Sequence, residues 1–288
     1  MHADEVVADA ALVARLVAEQ FPALAGLAVR PVGEPGTVNA VFRLGDALCV
    51  RLPRFDRWVA DLDREVHWLP RLAPHLTLPV PLPEGVGAAS PLFPRPWAVY
   101  RWLEGRPYTD AHLPGERQAA EDLARFVRSM RAIPPTDDAP AGGRRPLLEL
   151  DDVTRPLLGP AELPVWDDAL RGPAFAGDHV WIHGDLLRPN LLVHDGRLAA
   201  VLDFGGAGLG DPAADVIPAW AVFREVGRRA YRAALGVDDD TWRRARGFAL
   251  HQAAMIIPYY AESNPSFVAH ARRTVREVVA DFAESTRG

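Results

Sequence analysis

Apolar positions change period several times along the chain. Between residues 4 and 21, Val6, Ala10, Val13, Val17 and Phe21 recur at helical spacing and predict an opening amphipathic helix. Strand-like runs follow at 27–33, 37–44 and 47–52, the last two joined by the tight-turn pair Gly45-Asp46. A helix is predicted over 57–72, kinked or ended near Pro70, and two more strands at 86–93 and 97–103. Beyond residue 105 the helical period dominates. Ala119, Leu123, Phe126, Val127 and Met130 share one face of a helix over 115–131. Residues 134–150, rich in Pro, Gly and Asp, read as a loop. Helices are then expected over 213–234, 239–261 and 266–284, the last carrying Val268, Val275, Val279 and Phe282.

The expected fold class is therefore α+β: a small antiparallel-sheet lobe over 1–104 with one inserted helix, then a mostly helical lobe over 105–288. The join is placed near 102–107. Short apolar runs at 180–182 and 197–205 lie in the second lobe, each with polar residues at its end.

Composition narrows the class. The 288 residues are 49% hydrophobic and 24% charged, ordinary for a globular protein. No apolar run approaches the roughly 18–20 residues that span a bilayer, and the N-terminus lacks a signal-peptide pattern. One cysteine excludes an intrachain disulfide framework and a thiolate zinc site. A cytoplasmic protein is expected. The formal net charge of −6 argues against a nucleic-acid partner and weakly favours cationic small substrates. All 32 Lys+Arg residues are arginine, so a lysine's role in neutralising nucleotide phosphates falls to arginine if it is filled at all.

The chemistry concentrates in His183-Gly184-Asp185-Leu186-Leu187-Arg188-Pro189-Asn190 and the following run to Asp203-Phe204-Gly205. Asp185 is followed by Asn190 five residues on, and by Asp203 thirteen beyond that. Phosphoryl transfer needs one carboxylate beside the acceptor hydroxyl, and an amide and a carboxylate to hold metal against the phosphates. The protein kinase pattern has the same order and nearly the same spacing. Asp185 is the candidate base, and Asn190 and Asp203 are the candidate magnesium ligands, oxygen donors suited to a hard cation. His183 reads as a packing and hydrogen-bonding post. Asp211, before Pro212, reads as an N-cap that could also bond the catalytic loop. With this run between a sheet lobe and a helical lobe, the architecture is bilobal and protein kinase-like.

In the first lobe, Arg51 occupies the third strand, where a phosphate-neutralising cation belongs. Glu65 lies at helical spacing from Trp58, Leu62, Leu69 and Leu72, on a core-facing stripe where a carboxylate is costly unless paired. Arg51 is its expected partner. Gly36 and Thr37, in the turn between the first two strands, are candidates for covering the phosphates. Residues 98–105 are the expected hinge against the nucleotide base, with Tyr100 and Trp102 as candidate contacts. Cys49 reads as a small buried residue. Glu225, Glu262 and Asp238-Asp239-Asp240 could attract a cationic acceptor, although charged helix ends usually face solvent.

From about residue 27 onward these residues resemble the aminoglycoside phosphotransferase family, small-molecule kinases with the protein kinase-like fold. His183-Gly184-Asp185, Asn190, Asp203, Gly210-Asp211-Pro212 and the hinge-like Trp102-Leu103-Glu104-Gly105 carry the likeness. The resemblance implies a magnesium-dependent transfer of the γ-phosphate of ATP, or GTP, to a hydroxyl of a small molecule, such as an aminoglycoside or macrolide antibiotic. Arg51 departs from the lysine of the best-known members. Alternatives are a metabolic kinase acting on choline, a sugar or a sugar-amine, and a pseudokinase-like module that only binds nucleotide. The acceptor is expected on the later helices, around 220–224 and 255–263.

Overall fold

Asp9 accepts the Leu12 N–H at 2.8 Å and starts helix α1 (Ala10–Gln20), the first element of the computed structural model, which describes residues 7–33 and 39–286. Strands β1 (Val29–Pro31), β2 (Asn39–Leu44) and β3 (Leu48–Pro53) follow, then α2 (Val59–Leu72), β4 (Pro83–Gly87) and β5 (Trp97–Arg101). The five strands form one antiparallel sheet in the order β1-β2-β3-β5-β4. These elements and residues 201–205 make one compact unit, bounded at Glu104.

Alternation sorts this sheet into two faces. Phe42, Leu44, Val50, Leu52, Trp97 and Val99 are buried against Val13, Leu16 and Val17 of α1. Cys49, Ala98 and Tyr100 point the other way and pack with Leu62 of α2. A one-residue slip of β3 would exchange Val50 and Leu52 for Cys49 and Arg51. The register therefore decides where Arg51 points.

Two expectations for this unit are corrected. The first helix begins at Ala10, where Asp9 caps it, and residues 7–9 before it are not helical; the start expected at residue 4 lies outside the described residues. Helix α2 ends at Leu72, near Pro70 as expected, with the proline in its last turn, where it removes one backbone bond. The fourth strand lies at Pro83–Gly87, not 86–93; it is an edge strand, where proline is tolerated. Phe93 instead exchanges two backbone hydrogen bonds with Ser90 and buries its ring.

The second unit comprises residues 75–78, 105–200 and 206–288. It opens with β6 (Arg106–Pro107) and α3 (Glu116–Arg131), whose predicted apolar face is buried. A loop leads to short α4 (Asp151–Thr154), α5 (Leu163–Arg171) and β7 (Val180–Ile182). Strands β8 (Leu191–His194) and β9 (Arg197–Val201) meet at Asp195-Gly196, both at positive φ (48° and 74°), as a two-residue hairpin turn requires. Sheet orders are β6-β8-β9 and, with β10 (Gly208–Gly210), β10-β7. Helices α6 (Pro218–Ala221), α7 (Glu225–Leu235), α8 (Asp239–Tyr259) and α9 (Pro265–Ser285) complete the unit. Helix α5 falls where no element was expected, and the continuous helix expected at 213–234 is broken. Pro218 starts a new short helix, and the extended Arg224 is pinned by its N–H to Glu116 at 2.9 Å. Among the described residues no helix is long and apolar enough to cross a membrane.

Candidate active site

The catalytic run leaves β7 at Ile182 and turns at Gly184, whose φ of +80° suits glycine. Fully buried Asp215 receives the His183 and Gly184 N–H groups, both at 2.8 Å. Tyr231 donates its hydroxyl to the Asp215 carbonyl at 2.7 Å. His183 is fully buried, and its Nδ1 accepts the Asp185 N–H at 3.2 Å. Arg188, buried, donates twice to the Val222 carbonyl and pairs with Asp110 at 2.7 Å. The turn is thus anchored on both sides of Asp185.

Both carboxylate oxygens of Asp185 are held. Gln252 Nε2 of α8 donates to Oδ1 at 2.8 Å, and Asn190 Nδ2 donates to Oδ2 at 3.1 Å and to the Asp185 carbonyl at 2.9 Å. With its amide nitrogen so engaged, Asn190 leaves Oδ1 as a neutral oxygen donor for a hard cation.

In the sheet unit, Arg51 Nη1 lies 2.9 Å from Glu65 Oε2, and Glu65 is only 3% exposed. The Tyr100 hydroxyl donates to the same oxygen at 3.0 Å, and the Phe204 N–H donates to Oε1 at 2.7 Å. Glu65 therefore ties together β3, β5 and the segment carrying Asp203. Burial alone would lower the Arg51 pKa; the charge of Glu65, aided by Tyr100 and Asp203, outweighs it and raises it. Burial pushes the Tyr100 hydroxyl well up and the Cys49 thiol up to about 11, so both stay protonated.

Asp203 adopts φ +66°, an uncommon conformation for a residue with a side chain. The Phe204–Glu65 bond holds the residue that follows it. Burial, then the Asp203 charge, pushes Asp61 up to about 6, and a Cβ on Gly205 would stand 2.7 Å from the Asp61 Cβ. A carboxylate whose charge disfavours its neighbour's suits a divalent cation. The donor chemistry of Asn190 and of Asp203 fits magnesium.

The other expected residues fall differently. Gly36 and Thr37 lie outside the described residues. Tyr100 has a fully buried side chain and bonds Glu65, which leaves its side chain structural. Trp102 is stacked under the Arg43 guanidinium, 4.1 Å from the ring centre, and its backbone N–H is committed to the Ala47 carbonyl. Asp211 caps the 212–216 turn through Ala213 N and pairs with Arg244 at 2.9 Å, while the bonds to the catalytic turn come from Asp215. Asp238 caps α8, Asp239 and Asp240 pair with Arg232 and Arg243, and Glu225 pairs with Arg229. Sequence reasoning missed Asp215, Gln252, Arg188 and Asp61. Asp215 carried the signal used for Glu65: an acid among Ala213, Ala214, Val216 and Ile217 must be paired.

The sequence profile of the phosphotransferase enzyme family (APH) matches residues 29–248. An aminoglycoside 3'-phosphotransferase of Escherichia coli is 29% identical over 115 residues, which cover 36% of this chain and 42% of that relative, less than half its length. Among solved structures, aminoglycoside 2'-phosphotransferase-IIIa in its GDP complex superposes with a TM-score of 0.71 at 19% identity, over 95% of this chain and 99% of the other. Macrolide 2'-phosphotransferase MphH from Brachybacterium faecium gives 0.62 at 22% identity, over 94% and 97%. These likenesses establish the fold: the kinase-like α+β arrangement of an antiparallel sheet followed by helices.

Proposed function

The chain belongs to the phosphotransferase enzyme family, and from that premise we propose that it moves the γ-phosphate of ATP or GTP to a hydroxyl of a small molecule. The observation that carries this reading is the Asp185 carboxylate held at both oxygens by Gln252 and Asn190. A carboxylate fixed in this way can accept or orient the hydroxyl proton as the oxygen attacks the γ-phosphorus. The new O–P bond forms as the β–γ bridging bond breaks, and the nucleoside diphosphate leaves with the bridging oxygen. Arg51, fixed by Glu65, supplies a guanidinium to the nucleotide phosphates. Asn190 and Asp203 are the residues assigned to magnesium, which when bound neutralises charge on the phosphates. Use of ATP or GTP as the donor supports a cytoplasmic location for the proposed enzyme.

Aminoglycoside and macrolide phosphotransferases among the similar proteins make antibiotics the first acceptors to try. A metabolic alcohol or sugar is the second choice. The test is a phosphorylation screen with both nucleotides across aminoglycosides, macrolides and aminated metabolites, with Asp185→Ala as control. Nucleotide binding without turnover above that control would replace the enzyme with a binding module.

A further inference from the structure

The helical unit contains a cavity of about 410 Å³ under the loop between α3 and α4. Phe175 and Phe248 supply aromatic walls, and Asp211 is its one lining carboxylate among the described residues. That carboxylate is already neutralised by Arg244, which also lies 5.3 Å from the Phe175 ring centre. Arg144 and Arg145, also on the wall, add two further positive charges. The Arg144 Nε is buried and has no hydrogen-bond partner among the described residues. A buried donor left unpaired is costly, and a guanidinium more so than a neutral group.

The loop is pressed close to the catalytic turn by glycines. Ala141 bridges to Leu209, and a Cβ on Gly142 would stand 2.6 Å from Gly208. A Cβ on Gly184 would lie 3.5 Å from Gly143 Cα. Arg144 therefore follows a residue that abuts the neighbour of Asp185. The charge of Asp185 acts on Arg144, partly opposing the burial that pulls its pKa down. Arg144 and Arg145 both act on His251, the neighbour of Gln252. Of the carboxylates that could have drawn a polyamine, Asp238 is taken up in a helix cap, and Asp239, Asp240 and Glu225 in pairs with arginine.

We propose that this cavity seats the acceptor, and that the acceptor is a hydroxyl compound with an apolar or aromatic body and an oxyanion, such as a carboxylate, held by Arg144 and Arg145. The assignment rests on the phosphotransferase reading above and deepens it, setting cationic antibiotics behind anionic hydroxyl compounds as acceptors. A guanidinium binds an oxyanion through paired N–H donors and repels an ammonium group, so the same two residues select for one acceptor class and against the other.

Three probes of matched shape test this: para-hydroxymethyl benzoate, benzyl alcohol and para-aminomethyl benzyl alcohol. Binding is read by calorimetry and phosphorylation by release of ADP or GDP. The benzoate should bind at least roughly tenfold tighter than the alcohol, and the amine should bind weakest. Arg144→Gln and Arg145→Gln should each erase most of that preference, Arg144→Lys should keep part of it, and Arg144→Glu should favour the amine. Thermal melting confirms that each variant folds. Equal binding of the three, tightest binding of the amine, or a preference untouched in Arg144→Gln overturns the proposal. Arg144-dependent benzoate binding without phosphorylation of any hydroxyl compound would uphold the cavity's selectivity and overturn the kinase reading. Loss of both readouts overturns both.

Discussion

Gln252 reaches from α8 to donate its amide to Asp185 Oδ1 at 2.8 Å, across 67 residues of sequence. Asn190 already holds Oδ2, so Gln252 fixes the carboxylate plane that Asn190 alone would leave free to rotate. A hydrogen bond to a charged group contributes about 1.5–3 kcal/mol, and a tenfold rate change is about 1.4 kcal/mol. Gln252→Leu is therefore expected to lower kcat by roughly tenfold or more while the nucleotide KM stays constant. Gln252→Glu should cost more, because it sets a second carboxylate against Asp185. Steady-state kinetics on both variants check this; wild-type kcat in both would remove Gln252 from any positioning role.

Arg51 and Glu65 are expected to separate into two phenotypes. Glu65 receives donors from Arg51, Tyr100 and Phe204, so Glu65→Ala strands a guanidinium and two other donors. Breaking a buried ion pair from one side costs about 3–5 kcal/mol, and urea denaturation should show a loss of that order. Arg51→Ala should instead act on nucleotide binding and turnover, with Arg51→Lys retaining part of both. Unchanged nucleotide affinity and turnover in Arg51→Ala would show that another group meets the phosphates.

The contrast between these residues explains what the sequence could reveal. Glu65 was legible because one acid on an apolar helical stripe demands a cation, and a chain without lysine offers only arginine. Asp185, Asn190 and Asp203 were legible through spacing along a single stretch. Gln252 was not, because a neutral amide within 249–254 carries no charge to flag it, and its partner is distant in sequence. The break in the helix expected over 213–234 depends on Glu116 capturing the Arg224 N–H, again a distant partner. Helix α5 was hidden by Pro164, which reads as a breaker but sits where a helix's first turn tolerates it.

Asp215 makes the catalytic turn depend on a residue that touches neither acceptor nor nucleotide in the proposed reaction. Asp215→Ala would leave the His183 and Gly184 N–H groups without their acceptor, at about 1–3 kcal/mol for each buried donor. Lower stability and faster hydrogen exchange at those two amides are expected. Asp215→Asn keeps one acceptor oxygen and should retain protection at one of the two. Unchanged exchange in Asp215→Ala would mean that the turn holds its shape without this anchor.

His251 provides the pH dependence. Burial, then Arg144 and Arg145, lowers its pKa from 6.5 to about 4, while its Nδ1 lies 2.7 Å from the Thr154 hydroxyl. In the unfolded chain the imidazole takes its proton near pH 6.5; in the folded chain it resists until about pH 4. Between these values the unfolded state binds more protons, so stability falls as pH drops through the window and this contribution levels off below it. His251→Gln should remove that component, giving a shallower decline of the melting temperature from pH 6.5 to 4 than the wild type shows. Because the two arginines contribute to the shift, Arg144→Gln should raise the His251 pKa, readable by NMR titration of the ring. A titration unmoved by Arg144→Gln would leave burial and Arg145 as the causes and place the Arg144 guanidinium too far from His251 to act on it.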